Sequence, residues 1–290
     1  MNCTVQAFAK LNLMLDILGK LPKDYHEVCM LMQSVSLADT VHLETDGSGV
    51  LTVDCTNPEI PCGDGNIAYR AARAFFETTA LPFDGLRISI EKHIPHAAGL
   101  AGGSADAAAV LFGLNRMFDR PLAERALCEL GGALGADVPF CLTGGLMLAQ
   151  YDGTVLSALP ARAFGPVVIV KPDCAVSTAE AYHAFDTAGR VRHPDRKGML
   201  HAVMQNDLPG IFRRVGNVFE QFIDVPERVV IKALMREHGA ACACMSGSGP
   251  SVFGIFETEA QAEAAASTLR KRFSDVFLCE CMPVGVKTAD

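Results

Sequence analysis

A two-layer α+β fold is the architecture this sequence predicts, and three observations lead to it. Near the start, Val5, Ala7, Ala9, Leu11, Leu13 and Leu15 alternate with Gln6, Phe8, Lys10, Asn12 and Met14, the period of two of a strand. An alternating strand over residues 86–90 then leads through a polar link into a three-glycine loop and an alanine-rich helix. Beyond that helix, strand-like and helix-like segments keep mingling to residue 281, with no internal repeat and no low-complexity stretch. At 290 residues the chain can hold one large domain or two modest ones. We divide it into residues 1–158 and 159–290, within a boundary zone near 155–165.

The elements follow in order. In the first strand Lys10 and Asn12 share a face, opposite the aliphatic one. Residues 40–44 and 50–54 alternate on either side of Asp46-Gly47-Ser48-Gly49, which reads as a hairpin. Asn66 stands near the start of a helix to residue 78, and the Pro82 turn precedes the strand at 86–90. After the glycine loop one helix runs to about residue 118 and another from 121 to 134. The glycine turn Gly144-Gly145 introduces a strand over 146–150. The second half opens with a strand over 167–171, and Ser177-Thr178 cap a helix from residue 179. Residues 187–198 are polar and basic, the expected mobile loop. A helix over 226–238, strands over 240–245 and 252–256, a Thr258-capped helix to about 273 and a strand over 276–281 complete the reading.

Composition narrows the function classes. Half the residues are apolar and a fifth are charged, which suits a soluble globular protein with ample core. A net charge of −8 with no Lys/Arg block argues against a nucleic-acid partner. No apolar run approaches the ~20 residues needed to span a bilayer, so no membrane partner is expected. Lys10, Asn12 and Asp16 interrupt residues 1–19 where a signal peptide needs an unbroken apolar run, so a cytoplasmic location is expected, with the eleven cysteines as reduced thiols. Cys242-Ala-Cys244 and Cys279-Glu-Cys281 lack the spacing of a zinc site, and the histidines form no ligand pattern, so no protein-held metal is expected.

The glycine loop carries the strongest functional signal. Over Pro95-His96-Ala97-Ala98-Gly99-Leu100-Ala101-Gly102-Gly103-Ser104-Ala105, glycines let backbone N–H groups approach an oxyanion, and the helix start adds unpaired N–H groups and a positive dipole end. That geometry suits phosphate. One helix end contributes only about 0.3–1 kcal/mol at an exposed site, so a triphosphate needs the whole loop, a metal ion and cationic side chains together. Neither GxxxxGK[ST] nor GxGxxG occurs, so neither the P-loop nor the Rossmann fingerprint applies.

Pro-x-x-x-Gly-Leu-Ala-Gly-Gly-Ser-x-Asp-Ala-Ala instead resembles the nucleotide-binding motif of the GHMP kinases. Ala9-Lys10-Leu11-Asn12-Leu13 resembles their opening motif, and Ser246-Gly247-Ser248-Gly249-Pro250-Ser251 their C-terminal glycine loop. Asp24-Tyr25-His26, Gly135 to Phe140, Val176-Ser177-Thr178 and Asn206-Asp207-Leu208 narrow the likeness to the branch acting on a cytidyl diphosphate alcohol. The resemblance covers essentially the full chain. It implies an N-terminal ribosomal-protein-S5-like domain and a C-terminal ferredoxin-like domain, with ATP and Mg²⁺ as cofactors and a small-molecule cytidyl diphosphate substrate. It leaves open whether the protein is a monomer or a homodimer.

The resemblance also implies roles. Residues 95–105 hold ATP. Asp137 is the general base that takes the proton of the attacking hydroxyl, and Lys10 keeps that carboxylate ionised and polarises the hydroxyl. Asn12 orients the substrate. Tyr25 and Tyr182 offer faces to a cytosine, with Phe185 as an alternative to Tyr182, while His26 and Thr178 complete the substrate side. Without the resemblance, Asp137 reads equally as a turn or helix-cap residue and Lys10 as an edge-strand lysine. Two departures stand out: Ala101 and Ala105 replace residues that are often Gly and Ser in this loop. A metal-facing hydroxyl is therefore missing at 105 while Ser104 remains, and Ala101 is harmless only if its φ is negative. The rival readings are another small-molecule GHMP kinase and a catalytically silent nucleotide- or metabolite-binding relative.

Overall fold

The computed structural model describes residues 1–22 and 25–289, so the Asp24 of the Asp-Tyr-His motif lies outside the described residues. The strands are β1 (Asn2–Lys20), β2 (His26–Glu44), β3 (Leu51–Cys55), β4 (Leu86–Glu91), β5 (Leu146–Tyr151), β6 (Val155–Ala158), β7 (Val167–Lys171), β8 (Gly216–Asn217), β9 (Cys242–Met245), β10 (Val252–Ile255), β11 (Asp275–Cys279), β12 (Cys281–Met282) and β13 (Val286–Thr288). The helices are α1 (Ile67–Thr79), α2 (Gly102–Met117), α3 (Glu124–Leu134), α4 (Val138–Thr143), α5 (Thr178–Asp186), α6 (Arg196–Met204), α7 (Leu208–Phe212), α8 (Glu227–Glu237) and α9 (Glu259–Leu269).

Two sheets organise the molecule. The larger runs β13-β1-β2-β4-β3, with β8 beside β1 and with β5, its partner β6 and β12 along β2. The smaller is antiparallel, β11-β7-β10-β9. The expected α+β class holds. Ile231 and Met235 of α8 and Ala262, Ala265, Ala266 and Leu269 of α9 cover the smaller sheet. The C-terminal half is not confined to it, since β8, β12 and β13 all pair within the larger sheet.

β1 and β2 form the spine, paired antiparallel over nearly their full length with register shifts at Phe8/Ala9, Asn12/Met14 and Ile17/Gly19. Lys10 and Asn12 fall between two of these irregularities, so their shared face survives. On the side of β1 away from β2, β13 reaches only residues 5–7 and β8 only 14–15, and the Lys10 N–H is taken by Leu100 O of the phosphate loop. The Lys10 side chain is only 5% exposed, which removes the snorkelling edge-lysine alternative. The hairpin expected around residues 46–49 does not form. β4 inserts between β2 and β3, antiparallel to β2 and parallel to β3. Alternation identifies a strand but not its neighbour, and a turn sequence only permits a hairpin.

α2 is the central helix. Ala105, Ala107, Ala108 and Ala109 are fully buried. A Cβ on Gly113 would lie 2.4 Å from a methyl of Leu43, so small side chains are what let this helix press onto the larger sheet. The 187–198 stretch, expected as mobile, is pinned in its second half. His193 Nδ1 meets Asp16 Oδ1 at 2.8 Å, Arg196 Nε lies 3.1 Å from Asp16 Oδ2, and Gln221 bonds both backbone groups of Arg192. Asp16 is wholly buried, so these partners offset the cost of burying its charge.

Candidate active site

An open cleft of about 1010 Å³ separates the glycine loop from α5. Its wall includes Lys10, Tyr25, His26, Asp137, Thr178 and Tyr182, together with Pro95 to Gly99 and Ala101 to Ser104. Three residues expected at the site lie elsewhere. Leu100 and Ala105 face the core, and Asn12 is wholly buried beneath the cleft.

The loop reaches α2 through three left-handed residues: Ala97 (φ 49°), Gly99 (φ 73°) and Ala101 (φ 60°). The condition set for Ala101 therefore fails, since an alanine occupies backbone that favours glycine. The first N–H of α2 with a backbone partner in its own turn is that of Ala105, which donates to Ala101 O at 2.9 Å. Helix geometry leaves the N–H groups of Gly102, Gly103 and Ser104 pointing out of the helix end. Gly99 and Gly103 are glycines for different reasons. A Cβ on Gly99 would lie 2.2 Å from Ser246 O, so the fold itself requires glycine there. A Cβ on Gly103 would meet only Ile67 Cγ2, at an ordinary 3.5 Å, so the protein leaves that space for something else.

The three glycine- and lysine-bearing motifs meet at Asn12. Lys10 Nζ donates to Asn12 Oδ1 at 2.6 Å, and the same oxygen accepts from Gly247 N at 3.0 Å. Asn12 N donates to Ser246 Oγ at 3.3 Å, and that hydroxyl donates to Gly99 O at 3.0 Å. The main chain of Lys10 adds a bond to Leu100 O at 3.1 Å. The amide of Asn12 thus spends its oxygen within the protein and aims the ammonium of Lys10.

Lys10 Nζ lies 3.9 Å from Asp137 Oδ2. The lysine side chain is 5% exposed and the aspartate 33%, so a buried cation faces a carboxylate that solvent or a ligand can reach. Asp137 occupies the N-cap position of α4 but makes no side-chain capping bond. The cap alternative therefore does not account for its carboxylate.

At the far end of the cleft the ring of Tyr182 stacks on His26, with centroids 4.5 Å apart and planes 26° from parallel. Phe185 meets His26 by its edge at 6.2 Å and packs on Phe222. Tyr25 is exposed. Burial, reinforced by the charge of Asp137, pushes the Tyr182 phenol up to about 12. Ser177 caps α5 through Glu180 N, and Thr178 Oγ1 lies 3.1 Å from Ser248 Oγ, which ties α5 to the second glycine loop.

Sequence reading missed a second charged cluster beside the phosphate loop, whose Lys92 and Asp106 also line the cleft. Lys92 Nζ is paired with Asp39 Oδ2 and, at 2.8 Å, with Asp106 Oδ2. Asp39 Oδ1 also accepts from the backbone N–H groups of His93 (2.6 Å) and Ile94 (2.8 Å). All three side chains are buried. Burial holds the Asp106 carboxyl well above the usual carboxylate range despite Lys92, while the two aspartates outweigh burial and raise Lys92. The one visible signal was the Asp of the Ser-x-Asp segment, which the glycine-loop geometry does not call for.

A 4-diphosphocytidyl-2-C-methyl-D-erythritol kinase of Syntrophomonas wolfei subsp. wolfei is 42% identical over 279 residues, covering 96% of this chain and 97% of its own. One from Geobacillus thermodenitrificans is 42% identical over 280 residues, 96% of each chain. The chain belongs to the 4-diphosphocytidyl-2-C-methyl-D-erythritol kinase family of GHMP kinases. The crystal structure of a 4-(cytidine 5'-diphospho)-2C-methyl-D-erythritol kinase superposes with a TM-score of 0.79 at 33% identity, over 97% of this chain and 99% of that one. The family models for the GHMP kinases N terminal domain and GHMP kinases C terminal match residues 66–145 and 218–275. The first match spans the phosphate loop and Asp137. The second spans the Ser246–Gly249 loop. A homoserine kinase of Cytophaga hutchinsonii shares the fold, with a TM-score of 0.79 at 19% identity over 99% of this chain and 97% of its own.

Proposed function

We propose that this member of the 4-diphosphocytidyl-2-C-methyl-D-erythritol kinase family transfers the γ-phosphoryl group of ATP to the 2-hydroxyl of 4-diphosphocytidyl-2-C-methyl-D-erythritol, in the non-mevalonate route to isoprenoid precursors. The observation that carries the reading is the Lys10–Asp137 pair, open to the same cleft as the phosphate loop and the aromatic pocket. Phosphoryl transfer needs positioning and charge stabilisation more than covalent help from the protein. Asp137 accepts the hydroxyl proton as the oxygen bonds to phosphorus and ADP departs. Lys10, held by Asn12, faces that carboxylate and stabilises charge on the attacking oxygen. The N–H groups of residues 102–104 hold phosphate oxygens, and the pocket of Tyr25, His26 and Tyr182 receives the cytosine.

Mg²⁺ fits this donor set as an ion held chiefly by phosphate oxygens and water. No group of three His, Cys, Asp or Glu able to cage a metal exists among the described residues. The Ser104 hydroxyl and the Asp137 carboxylate line the same cleft and would be the protein oxygens offered to such an ion. When bound, Mg²⁺ supplies charge neutralisation of the triphosphate. Residues 1–158 carry Lys10, the phosphate loop and Asp137, and residues 159–290 supply Tyr182 and the second glycine loop. All eleven cysteines are unpaired, which supports a reducing, cytoplasmic setting.

The test is ADP release with and without the cytidyl substrate. Release that depends on the substrate is expected. Equal release in its absence, or release with mevalonate or homoserine instead, overturns the assignment.

A further inference from the structure

Asp186 is the last residue of α5, where the negative end of the helix dipole disfavours a carboxylate. Two cationic or potentially cationic groups meet it there. His26 Nε2 lies 2.7 Å from Oδ1, and Lys20 Nζ lies 2.7 Å from Oδ2. The bonds from Lys20 and His26 hold the Asp186 carboxyl below the usual range, so it accepts and does not donate. His26 must therefore carry a proton on Nε2. With the proton on Nε2, the neutral ring presents a lone pair at Nδ1. Among the described residues no hydrogen-bond partner for Nδ1 is present, and the ring lines the cleft with its face fixed against Tyr182.

We propose that Asp186, backed by Lys20, is a positioning residue that fixes His26 as its Nε2–H tautomer, so that Nδ1 accepts a hydrogen bond from the ligand and favours an amino-bearing pyrimidine over an oxo-bearing one. The inference rests on the cytidyl reading above and extends it to how the base is chosen. An exocyclic amine donates to a bare ring nitrogen. A carbonyl in the same place sets two lone pairs against each other. A histidine held in the other tautomer, or charged, would present an N–H there and reverse the preference.

Two measurements test this. In a ¹⁵N long-range correlation spectrum at pH 8, with His26 assigned by its loss in His26→Gln, the Nε2–H pattern is expected in the wild type and not in Asp186→Ala. Calorimetric titration of CDP and of UDP, with a non-hydrolysable ATP analogue bound, should show a wild-type preference for CDP. In Asp186→Ala that preference should shrink roughly 3- to 10-fold, the worth of one hydrogen bond, while affinity for the ATP analogue holds. Asp186→Asn keeps an acceptor for Nε2–H and should retain most of the preference, which separates tautomer control from general loss of folding. An Nδ1–H or imidazolium signal in the wild type overturns the inference. So does an unchanged CDP preference in Asp186→Ala, which leaves the cytidyl reading intact. Failure of the wild type to bind CDP overturns both.

Discussion

Two lysine–aspartate clusters flank the phosphate loop, and they are built in opposite ways. Lys92 sits within direct hydrogen-bonding distance of both Asp39 and Asp106, all three buried, with backbone N–H groups completing Asp39. Lys10 stands 3.9 Å from Asp137, whose carboxylate opens on the cleft. In the first cluster the oxygens of Asp39 and the ammonium of Lys92 are committed to protein partners, so exchanging a proton with a ligand means breaking buried pairs. In the second the carboxylate has spare acceptor capacity and faces a cation 3.9 Å away. Lys92 and Asp106 reach the cleft wall too, so what separates the clusters is pairing and exposure. Tight buried pairs mark a strut beside the loop, and a loose pair with an accessible carboxylate marks chemistry.

Substitutions should separate the two clusters by what they damage. The largest effect is expected at Asp137→Asn, which is nearly isosteric and removes only the base. Turnover should fall about 10²- to 10⁴-fold with ATP affinity and Tm nearly intact. Lys10→Met should lose activity similarly and also weaken binding of anionic groups. A folded Asp137→Asn enzyme turning over at the wild-type rate would place Asp137 with the structural carboxylates.

Lys92→Met should do the reverse. Stranding two buried carboxylates is expected to cost about 3–5 kcal/mol of stability, read by urea denaturation, while the protein that remains folded keeps much of its kcat. A variant of full stability with lost turnover would move Lys92 into the chemistry.

Gly103→Ala probes the loop between the clusters. Its Cβ meets no protein atom closer than 3.5 Å, so the fold should tolerate it and Tm should hold or rise slightly. KM for ATP should rise roughly tenfold, as expected when one charge-assisted bond to phosphate is lost. A loss of Tm with KM unchanged would show that this glycine serves the fold.

The smallest effect is expected at Ala101→Gly. Relieving a left-handed alanine is worth about 1–2 kcal/mol, partly offset by the greater freedom of glycine in the unfolded chain, for a net gain of about 0.5 kcal/mol. A decrease in Tm would mean that the alanine methyl contributes packing that outweighs its backbone.

The legible parts of this molecule were those written in contiguous strings. The phosphate loop, the strand bearing Lys10 and Asn12, the Asp137 turn and the Ser177 cap each carry their geometry in a few adjacent residues. Pairings between distant segments were not legible. Nothing near residue 50 announces that β4 will separate β3 from β2, and β12 and β13 are too short to show a period. Lys92, Asp39 and Asp106 are scattered over 68 residues of chain and become one cluster only when β2, β4 and α2 converge. Asn12 was legible as a polar residue on the right face. Its partners, Ser246 and Gly247, lie more than 230 residues away. Asp186 gave no signal at all, since its role depends on what β1 and β2 bring to the end of α5.

The way β1 is satisfied also sets a timetable. Residues 5–7 pair with residues 286–288, Phe8 N donates to Gly285 O, and Asn12 is completed by Gly247. β1 thus waits for segments translated more than 230 residues later. Until residue 247 has left the ribosome, Asn12 lacks the loop that fixes it, so a nascent chain holds Lys10 against an amide that is itself unanchored. Activity should appear only after the second glycine loop has emerged, which makes turnover by stalled chains of graded length a clock for assembly of the site.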